Sequence, residues 1–367
     1  MSKKIETDFR TFVKFWMVPL VIIAALFIIY KALTGLIIIG ASIFLALALR
    51  PLVNKVNNFF TKHFGKDKKH QNLSAVLAYL IVILVVGAVI AIVGPVVVNE
   101  TAHFVQSFPD TFEKTFGGWK GVNDFGKTIG VENLHAEIEN ALTGLSNNLL
   151  GLLGSNLVTS VSGVADVVMK IVLVLVLTLL FLLEGPSMAD AAWKNLEDDD
   201  NKKAVTVAKR TISRMANVVS IYVSRQVIVA MLDGCASMAI TFVLSLILGF
   251  SSSLAVPMGL ITALFYLIPM FGQFIGGTLV TLLLISSNLW AGLIFAIIYI
   301  IYAQIENNII APKIQGDALK LQPVVILSAI VIGMYMFGLL GAIIAIPIAG
   351  CIRVLVEEYP NIRAARN

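Results

Sequence analysis

Five side chains that can bind a solute or an ion lie in, or directly beside, the most apolar part of the sequence. They are Asp233, Gln273 and the consecutive Glu306, Asn307 and Asn308. A carboxylate at membrane depth costs roughly 3 kcal/mol or more, so it usually pairs, takes a proton or faces a water-filled cavity. Amides next to a carboxylate supply the donors and acceptors that replace the water around a polar solute or a cation. We therefore predict a substrate- or ion-binding site at these five residues.

Each of these residues also has a structural interpretation that the sequence leaves open. Asp233 lies eight residues after Arg225 and can form a salt bridge with it. Asn307 and Asn308 can cap a helix that ends before Pro312, because Asn side chains bond readily to nearby backbone groups. In an antiporter or an exporter these residues would bind an ion or a solute. In a purely structural cluster they would form the salt bridge and the helix caps instead.

The surrounding sequence is that of a membrane protein. No Asp, Glu, Lys or Arg occurs between Gly234 and Ile305, although charged residues are 13% of the chain and the mean hydropathy is +0.91. A span of about 20 apolar residues already crosses a bilayer. The four histidines lie in polar connections, and no metal or nucleophile motif is present, so we expect neither an enzyme nor a bound cofactor beyond coupling to Na⁺ or H⁺. The fold class is therefore all-α, a polytopic integral membrane protein with about eight membrane helices.

The apolar segments give the predicted spans. The first two are short and form a hairpin that turns at Lys31–Gly35, and the fourth brings Asp166 and Lys170 to the interface as an i,i+4 pair. Segments 254–285 and 321–352 would each be about 48 Å long as helices, too long for one straight crossing. Both hold breakers in their middles, so each is either a single kinked span or a re-entrant hairpin, and we favour re-entrant hairpins. The expected spans are 16–30, 36–49, 73–98, 161–183, 226–250, 254–285, 290–302 and 321–352, and the expected breaks or hinges are Pro269, Gly272, Gly276, Pro312, Gly338, Gly341 and Pro347.

Charge predicts the orientation of these spans. Residues 50–72 carry six basic residues against Asp67 alone, whereas 99–163 carries seven acids and three lysines. The positive-inside rule then places the N-terminus, 50–72, 184–225 and the C-terminus in the cytoplasm and 99–163 outside. The predicted regions are three spans with a basic loop (1–98), an outer helical insertion (99–163), the fourth span with an amphipathic helix (164–225), the transport region (226–352) and a cytoplasmic tail (353–367).

Two amphipathic stretches accompany the spans. Residues 205–222 place apolar side chains at alternating spacings of three and four, ahead of the fifth span. This stripe packs either within its own subunit or as a seam between subunits, with Ile212, Met215, Val219 and Tyr222 as the seam residues. A similar stripe in the outer insertion, which we interpret as packing, consists of Leu134, Ile138, Leu142, Leu145 and Leu149.

Several motifs of the C-terminal half resemble those of a known family. Pro269-Met270-Phe271-Gly272 with Gly276 resembles the IPxxGxxxG signature of the autoinducer-2 exporter family of bacterial membrane proteins. Gln304–Asn308 followed by Pro312 and Gly316 resembles its QxxENNxxxPxxxG segment, and Gly338–Pro347 its final GxxGxxxAxP stretch. The match runs in order along nearly the whole chain.

The resemblance implies a homo-oligomer, with a pentamer as the expected state, and transport by movement of a domain with re-entrant segments in the bacterial cytoplasmic membrane. Export of a small polar solute such as autoinducer-2 is the leading interpretation. Sodium (or another cation)/proton antiport is the alternative within the family, and a membrane scaffold for envelope proteins is the alternative from another class. Besides lipid, solute or cation and other copies of the chain, no nucleic-acid partner is expected.

Overall fold

A computed structural model describes residues 9–64, 68–115, 118–128, 130, 133–137, 139–140, 143–144, 161–198, 202–315 and 321–366. Within these ranges the chain forms helices and their connections and no strand. The helices are α1 (Phe9–Phe64), α2 (Lys68–Thr115), α3 (Trp119–Thr128), α4 (Val161–Leu183), α5 (Gly185–Leu196), α6 (Lys202–Leu248), α7 (Ala255–Tyr266), α8 (Gly272–Ser287), α9 (Leu289–Ile305), α10 (Ala311–Gln315) and α11 (Pro323–Arg366). A short 3₁₀ turn, Ser252–Leu254, precedes α7, and a π-helical turn, Glu306–Ile310, joins α9 to α10.

The helices confirm an all-α polytopic membrane protein. Six of the described helical segments are long and apolar enough to cross a membrane, and two shorter apolar helices, Ser252–Tyr266 and Gly272–Ser287, accompany them. The third and fourth predicted spans lie within α2 and α4. At the start of α4 the exposed Lys170 Nζ lies 2.6 Å from Asp166 Oδ2, as the i,i+4 spacing predicts.

The predicted hairpin at Lys31–Gly35 is wrong. Helix α1 runs without interruption from Phe9 to Phe64 through that segment and through Pro19 and Pro51. One glycine inside an apolar helix costs only about 1 kcal/mol, which the backbone hydrogen bonds of a long membrane helix easily offset. The first two predicted spans are therefore parts of one continuous helix.

Hydroxyl groups connect the N-terminal helices. Ser42 Oγ of α1 donates to the Val174 carbonyl of α4 over 3.3 Å, and Thr178 Oγ1 donates back to the Ser42 carbonyl over 3.4 Å. Tyr79 of α2 donates to the Leu175 carbonyl over 2.7 Å. Side-chain hydrogen bonds of this kind hold membrane helices together where no hydrophobic driving force exists between them. They make α1, α2 and α4 a supporting layer beside the C-terminal half.

Residues 254–285 form a helical hairpin, as the sequence predicts. Helices α7 and α8 have 12 and 16 residues, which at 1.5 Å per residue is about 18 and 24 Å, short of a full crossing. They pack so tightly that a Cβ on Gly272 would lie 1.9 Å from the Phe265 carbonyl oxygen. Between them the chain turns through Pro269 and through Met270, which has a positive φ of 67°. Gly276 faces Thr262 and Phe265 in the same contact.

Residues 323–366 contain a second hairpin. Phe337 and Gly338 have non-helical backbone angles, and Gly338 has φ 61° and ψ −146°, a conformation essentially limited to glycine. A Cβ on Gly341 would lie 2.0 Å from the Gly333 carbonyl oxygen, although eight residues of straight helix would separate them by about 12 Å. The chain therefore doubles back at Gly338. Pro347 lies within the helical second arm and causes no break there.

The predicted helix end at Gln304–Asn308 is wrong. Instead of ending, the helix widens into the π turn, and the Ala311 N–H donates to the Glu306 carbonyl five residues earlier. Pro312 follows directly, and a proline cannot supply the N–H that an α-helix would need at that position. Such π turns occur frequently at functional sites.

The two hairpins approach the middle of α6 from opposite ends. Leu254 and Met258 of the first hairpin pack with Leu244 near the end of α6. Glu357 at the far end of the second hairpin binds Arg214 near its start, over 3.0 Å. Of the insertion's apolar stripe, Ile138, Leu142, Leu145 and Leu149 lie outside the described residues, and so does 316–320.

Candidate functional site

Two fully buried carboxyl groups meet beside the tip of the first hairpin. Asp233 of α6 and Glu306 of the π turn both have 0% exposure. A single amide nitrogen, Gln273 Nε2, donates to Asp233 Oδ1 over 3.2 Å and to Glu306 Oε2 over 2.5 Å. Since both oxygens bond to the same nitrogen, they lie within about 6 Å of each other. The structure thus brings together three of the predicted site residues from three separate elements.

Tyr299 of α9 completes the environment of Asp233. Its hydroxyl donates to Asp233 Oδ1 over 2.8 Å and lies 3.0 Å from Oδ2. The ring fits because Gly277 of α8 has no side chain: a Cβ there would lie 2.4 Å from Tyr299 Cε1. Hydrogen bonds to a charged group contribute about 1.5–3 kcal/mol each, so Tyr299 is a major stabiliser of a charged Asp233.

Glu306 is less well satisfied. Its Oε1 is buried and has no hydrogen-bond donor, and none of the ion pairs among the described residues includes Asp233 or Glu306. The salt bridge from Arg225 to Asp233 is therefore not formed, and Arg225 instead donates to the Gln315 carbonyl. A buried carboxylate without a counter-charge is strongly unfavourable unless a proton or a cation joins it. The carboxyl pair is chemically suited to bind either.

Close helix packing places these groups. Next to Asp233, Gly234 of α6 crosses Gly259 of α7 so closely that a Cβ on either would lie about 2.6 Å or less from the other's carbonyl oxygen. Gln273 is the second residue of α8, whose N-terminus carries the positive end of the helix dipole. Broken helices in membrane transporters place such ends at their binding sites.

The two asparagines have different environments. Asn307 Nδ2 donates to Gln273 Oε1 over 2.9 Å and so joins the site. Asn308 is exposed and donates to the Gln304 carbonyl of its own helix over 2.7 Å. Neither caps a helix end, because the helix continues. The structure brings Asp233, Gln273, Glu306 and Asn307 together and leaves Asn308 outside the group.

A cleft of about 410 Å³ adjoins the carboxyl pair. Gln273 and Asn307 form part of its wall on that side, and the tip of the first hairpin and the second hairpin enclose it. Its lining residues are Tyr222, Gln226, Tyr266, Ile268, Pro269, Met270, Gln273, Asn307, Ala311, Pro312, Gln315, Pro323, Ile326 and Ile346.

Comparison with known proteins agrees with this architecture. The family model described as AI-2E family transporter matches residues 17–361. The chain belongs to this family. Three relatives carry the name "Putative transport protein". Synechocystis sp. sll0060 is 25% identical over 80% of this chain and 82% of its own length, and Bacillus subtilis YueF is 24% identical over 78% and 76%. Bacillus subtilis YrrI is 34% identical over 29% of this chain and 30% of its own length.

The protein is therefore a multi-pass membrane transporter of the AI-2E family. Its motifs now have structural positions: the Pro269–Gly276 signature forms the tip and the tight contact of the first hairpin, and Gly338 and Gly341 form the second. Glu306 and Asn307 face the first hairpin through Gln273.

Sequence reasoning missed several site residues of this AI-2E transporter. Tyr299 was overlooked because a tyrosine in an apolar helix is usually core, although its spacing of seven residues from Glu306 places both on one face. Gln226 donates to the Tyr266 carbonyl over 2.8 Å and accepts from Gln315 Nε2 over 3.4 Å. The sequence signal for Gln226 was a glutamine at the start of an apolar run, directly after an amphipathic helix.

The proposed seam on α6 is only partly available for a second copy. Val219 and Tyr222 are buried within the chain itself, and Tyr222 packs against Ile330 and Ala342 of the second hairpin. These two residues pack within their own subunit, which is one of the two interpretations that the sequence left open. Ile212 is 54% exposed and remains on an outer surface.

Proposed function

We propose that the protein couples export of a small polar solute to protons or sodium ions at the carboxyl pair of Asp233 and Glu306. The observation that carries this proposal is the donor-free, fully buried Glu306 Oε1 next to a second buried carboxyl group. A proton or a cation is the group that this oxygen lacks. The adjoining cleft is open to a solute, and Gln273 lies between the cleft and the carboxyl pair.

The proposed mechanism is alternating access through the two hairpins. The first hairpin meets α6 at the Gly234–Gly259 contact, and the two arms of the second hairpin meet each other at the Gly333–Gly341 contact. Small residues permit packed helices to slide or rock. Filling the carboxyl pair with a proton or cation removes the buried negative charge. We infer that this change permits the first hairpin to move, which opens the cleft to the other side of the membrane.

The test is transport by purified protein in proteoliposomes. Efflux of labelled autoinducer-2 is followed with and without a pH or sodium gradient, for the wild type, Glu306→Gln and, as control, Glu137→Gln, whose carboxylate is exposed. Glu306→Gln retains the shape and can still accept a hydrogen bond from Gln273, but it carries no negative charge and takes up no proton. We expect gradient-driven efflux to fall at least tenfold, with gradient-free exchange retained. Full gradient-driven efflux by Glu306→Gln would refute the proposal.

A second candidate function is sodium/proton antiport without a solute. Two carboxyl groups have oxygens within about 6 Å of each other, and one oxygen, Glu306 Oε1, has no hydrogen-bond donor among the described residues. Such a pair is suited to bind a monovalent cation in exchange for a proton. In the same vesicles, a sodium-driven pH change in the absence of autoinducer-2 would favour this candidate. An exporter that couples solute to ions would produce that pH change only when autoinducer-2 is present.

A further inference from the structure

The cleft has the size of a binding site for a small molecule. Its volume of about 410 Å³ falls within the range of roughly 300–1,000 Å³ that ligand pockets occupy. It lies where the two hairpins meet the middle of α6, and residues from α6, the first hairpin, the π turn, α10 and the second hairpin all contribute to its wall. A solute here would contact every element that the transport mechanism moves.

The chemistry of the wall selects against charge. Among the described residues that line the cleft, none is Asp, Glu, Lys, Arg or His, and the polar ones are four amides and two tyrosines. Amides and phenols can both donate and accept. The remaining lining side chains are aliphatic or proline, which suits the carbon frame of a small ring. An anion entering this cleft would lose its water without gaining a counter-charge.

Part of the cleft wall holds unused hydrogen-bonding capacity. Tyr222 lines the cleft, is 8% exposed, and has a buried hydroxyl without any hydrogen-bond partner. Beside it, Gln315 Nε2 reaches Gln226 Oε1 only over a long 3.4 Å. Arg225 holds the Gln315 backbone carbonyl and so fixes α10 against α6. A buried hydroxyl left unpaired costs about 1–3 kcal/mol, so a solute that pairs with it gains correspondingly.

We propose that Tyr222, Gln226 and Gln315 form a cargo-binding subsite for the hydroxyl or carbonyl groups of an uncharged solute. This subsite is separate from the ion-binding carboxyl pair, and Gln273 with Asn307 connects the two. The proposal rests on the proposed function only in taking the cargo to be a small polar solute. It adds the class of that solute, uncharged and rich in hydrogen-bonding groups, and the residues that recognise it.

Equilibrium binding by the purified full-length protein tests the subsite without any gradient. Calorimetric titration with autoinducer-2 is compared for the wild type, Tyr222→Phe and Gln315→Leu. Because the Tyr222 hydroxyl has no hydrogen-bond partner among the described residues, removing it takes no described hydrogen bond from the fold. Each variant should bind about tenfold more weakly, as expected for one lost hydrogen bond. Gln304→Leu, an exposed amide on α9 outside the cleft, should bind as the wild type does.

Two further comparisons separate this proposal from the previous one. Tyr222→Phe and Gln315→Leu should weaken the affinity for autoinducer-2 in the absence of any gradient, whereas the gradient-driven efflux of Glu306→Gln bears on the previous proposal alone. Lactate, a hydroxylated anion, should not bind measurably. Wild-type affinity in both Tyr222→Phe and Gln315→Leu, binding of lactate as tight as that of autoinducer-2, or no binding of autoinducer-2 to the wild type would each overturn the subsite.

Discussion

The amide of Gln273 is the only direct hydrogen-bonded link that the described residues provide between the carboxyl pair and the cleft. Its nitrogen donates to both carboxyl groups, and its oxygen accepts from Asn307. Leucine would have a similar size but could make none of these bonds, and glutamate would add a third negative charge. A glutamine at the start of a broken helix therefore has a specific role, because its nitrogen contacts both carboxyl groups and its oxygen accepts from Asn307 in the cleft wall.

A prediction at this scale concerns Gly277. The variant Gly277→Ala adds a methyl group that would lie 2.4 Å from the Tyr299 ring, so the ring must move and its hydroxyl must leave Asp233. We expect a loss of about 1–3 kcal/mol in stability and weakened gradient-driven efflux, measured by thermal unfolding in detergent and by vesicle efflux. Gly87→Ala on α2, where nothing lies within 4 Å of the added Cβ, is the control. Unchanged unfolding and efflux in Gly277→Ala would show that Tyr299 does not support the site.

Single residues differed in how far the sequence predicted them. Asp233, Gln273 and Glu306 were predictable because a charge or amide in an apolar run is expensive and needs a purpose. Their mutual contact was not, since it depends on how α7 and α8 fold against α6. Asn308 lies outside the hydrogen-bonded group, because its side chain donates to the Gln304 carbonyl of its own helix.

Among the elements, the helix breaks at glycines were predictable from the sequence, whereas the π turn, which contains no glycine, was not. Gly272 and Gly338 mark both hairpins because close backbone approach or positive φ requires them. Lys31–Gly35 looked like a turn, but a turn needs tertiary contacts to stabilise it, and α1 stays helical there. The π turn at Glu306 depends on one extra residue per turn, which no local propensity signals.

A prediction at this scale concerns the outer face of α6. We propose that Ile212, 54% exposed, contacts another copy of the chain in a homo-oligomer. Ile212→Glu should reduce the oligomer in native mass spectrometry while membrane insertion stays normal. Ser213→Glu places the same charge on the neighbouring exposed position and serves as the control. An unchanged oligomer in Ile212→Glu would assign this face to lipid.

At the scale of the whole molecule, the prediction concerns the side of the membrane that each connection faces. The charge balance predicts 50–72 in the cytoplasm and 99–163 outside. Cysteines introduced singly at Lys62 and Asp124, after replacement of Cys235 and Cys351, test this with a membrane-impermeant maleimide on intact cells. We expect labelling at Asp124 and protection at Lys62 until the membrane is permeabilised. Labelling of the position 124 cysteine only from the cytoplasmic side would invert the whole arrangement.

Helix α6 has a consequence for which parts of the molecule can move. It is unbroken over 47 residues, about 70 Å, and carries Arg214 at one end, then Tyr222, Gln226 and Asp233 in turn. Groups on one rigid rod keep fixed mutual distances. In the transport cycle that we propose, α6 stays fixed and the hairpins move around it. Tyr222, Gln226 and Asp233 then keep their mutual distances while the side of the membrane from which they are accessible changes.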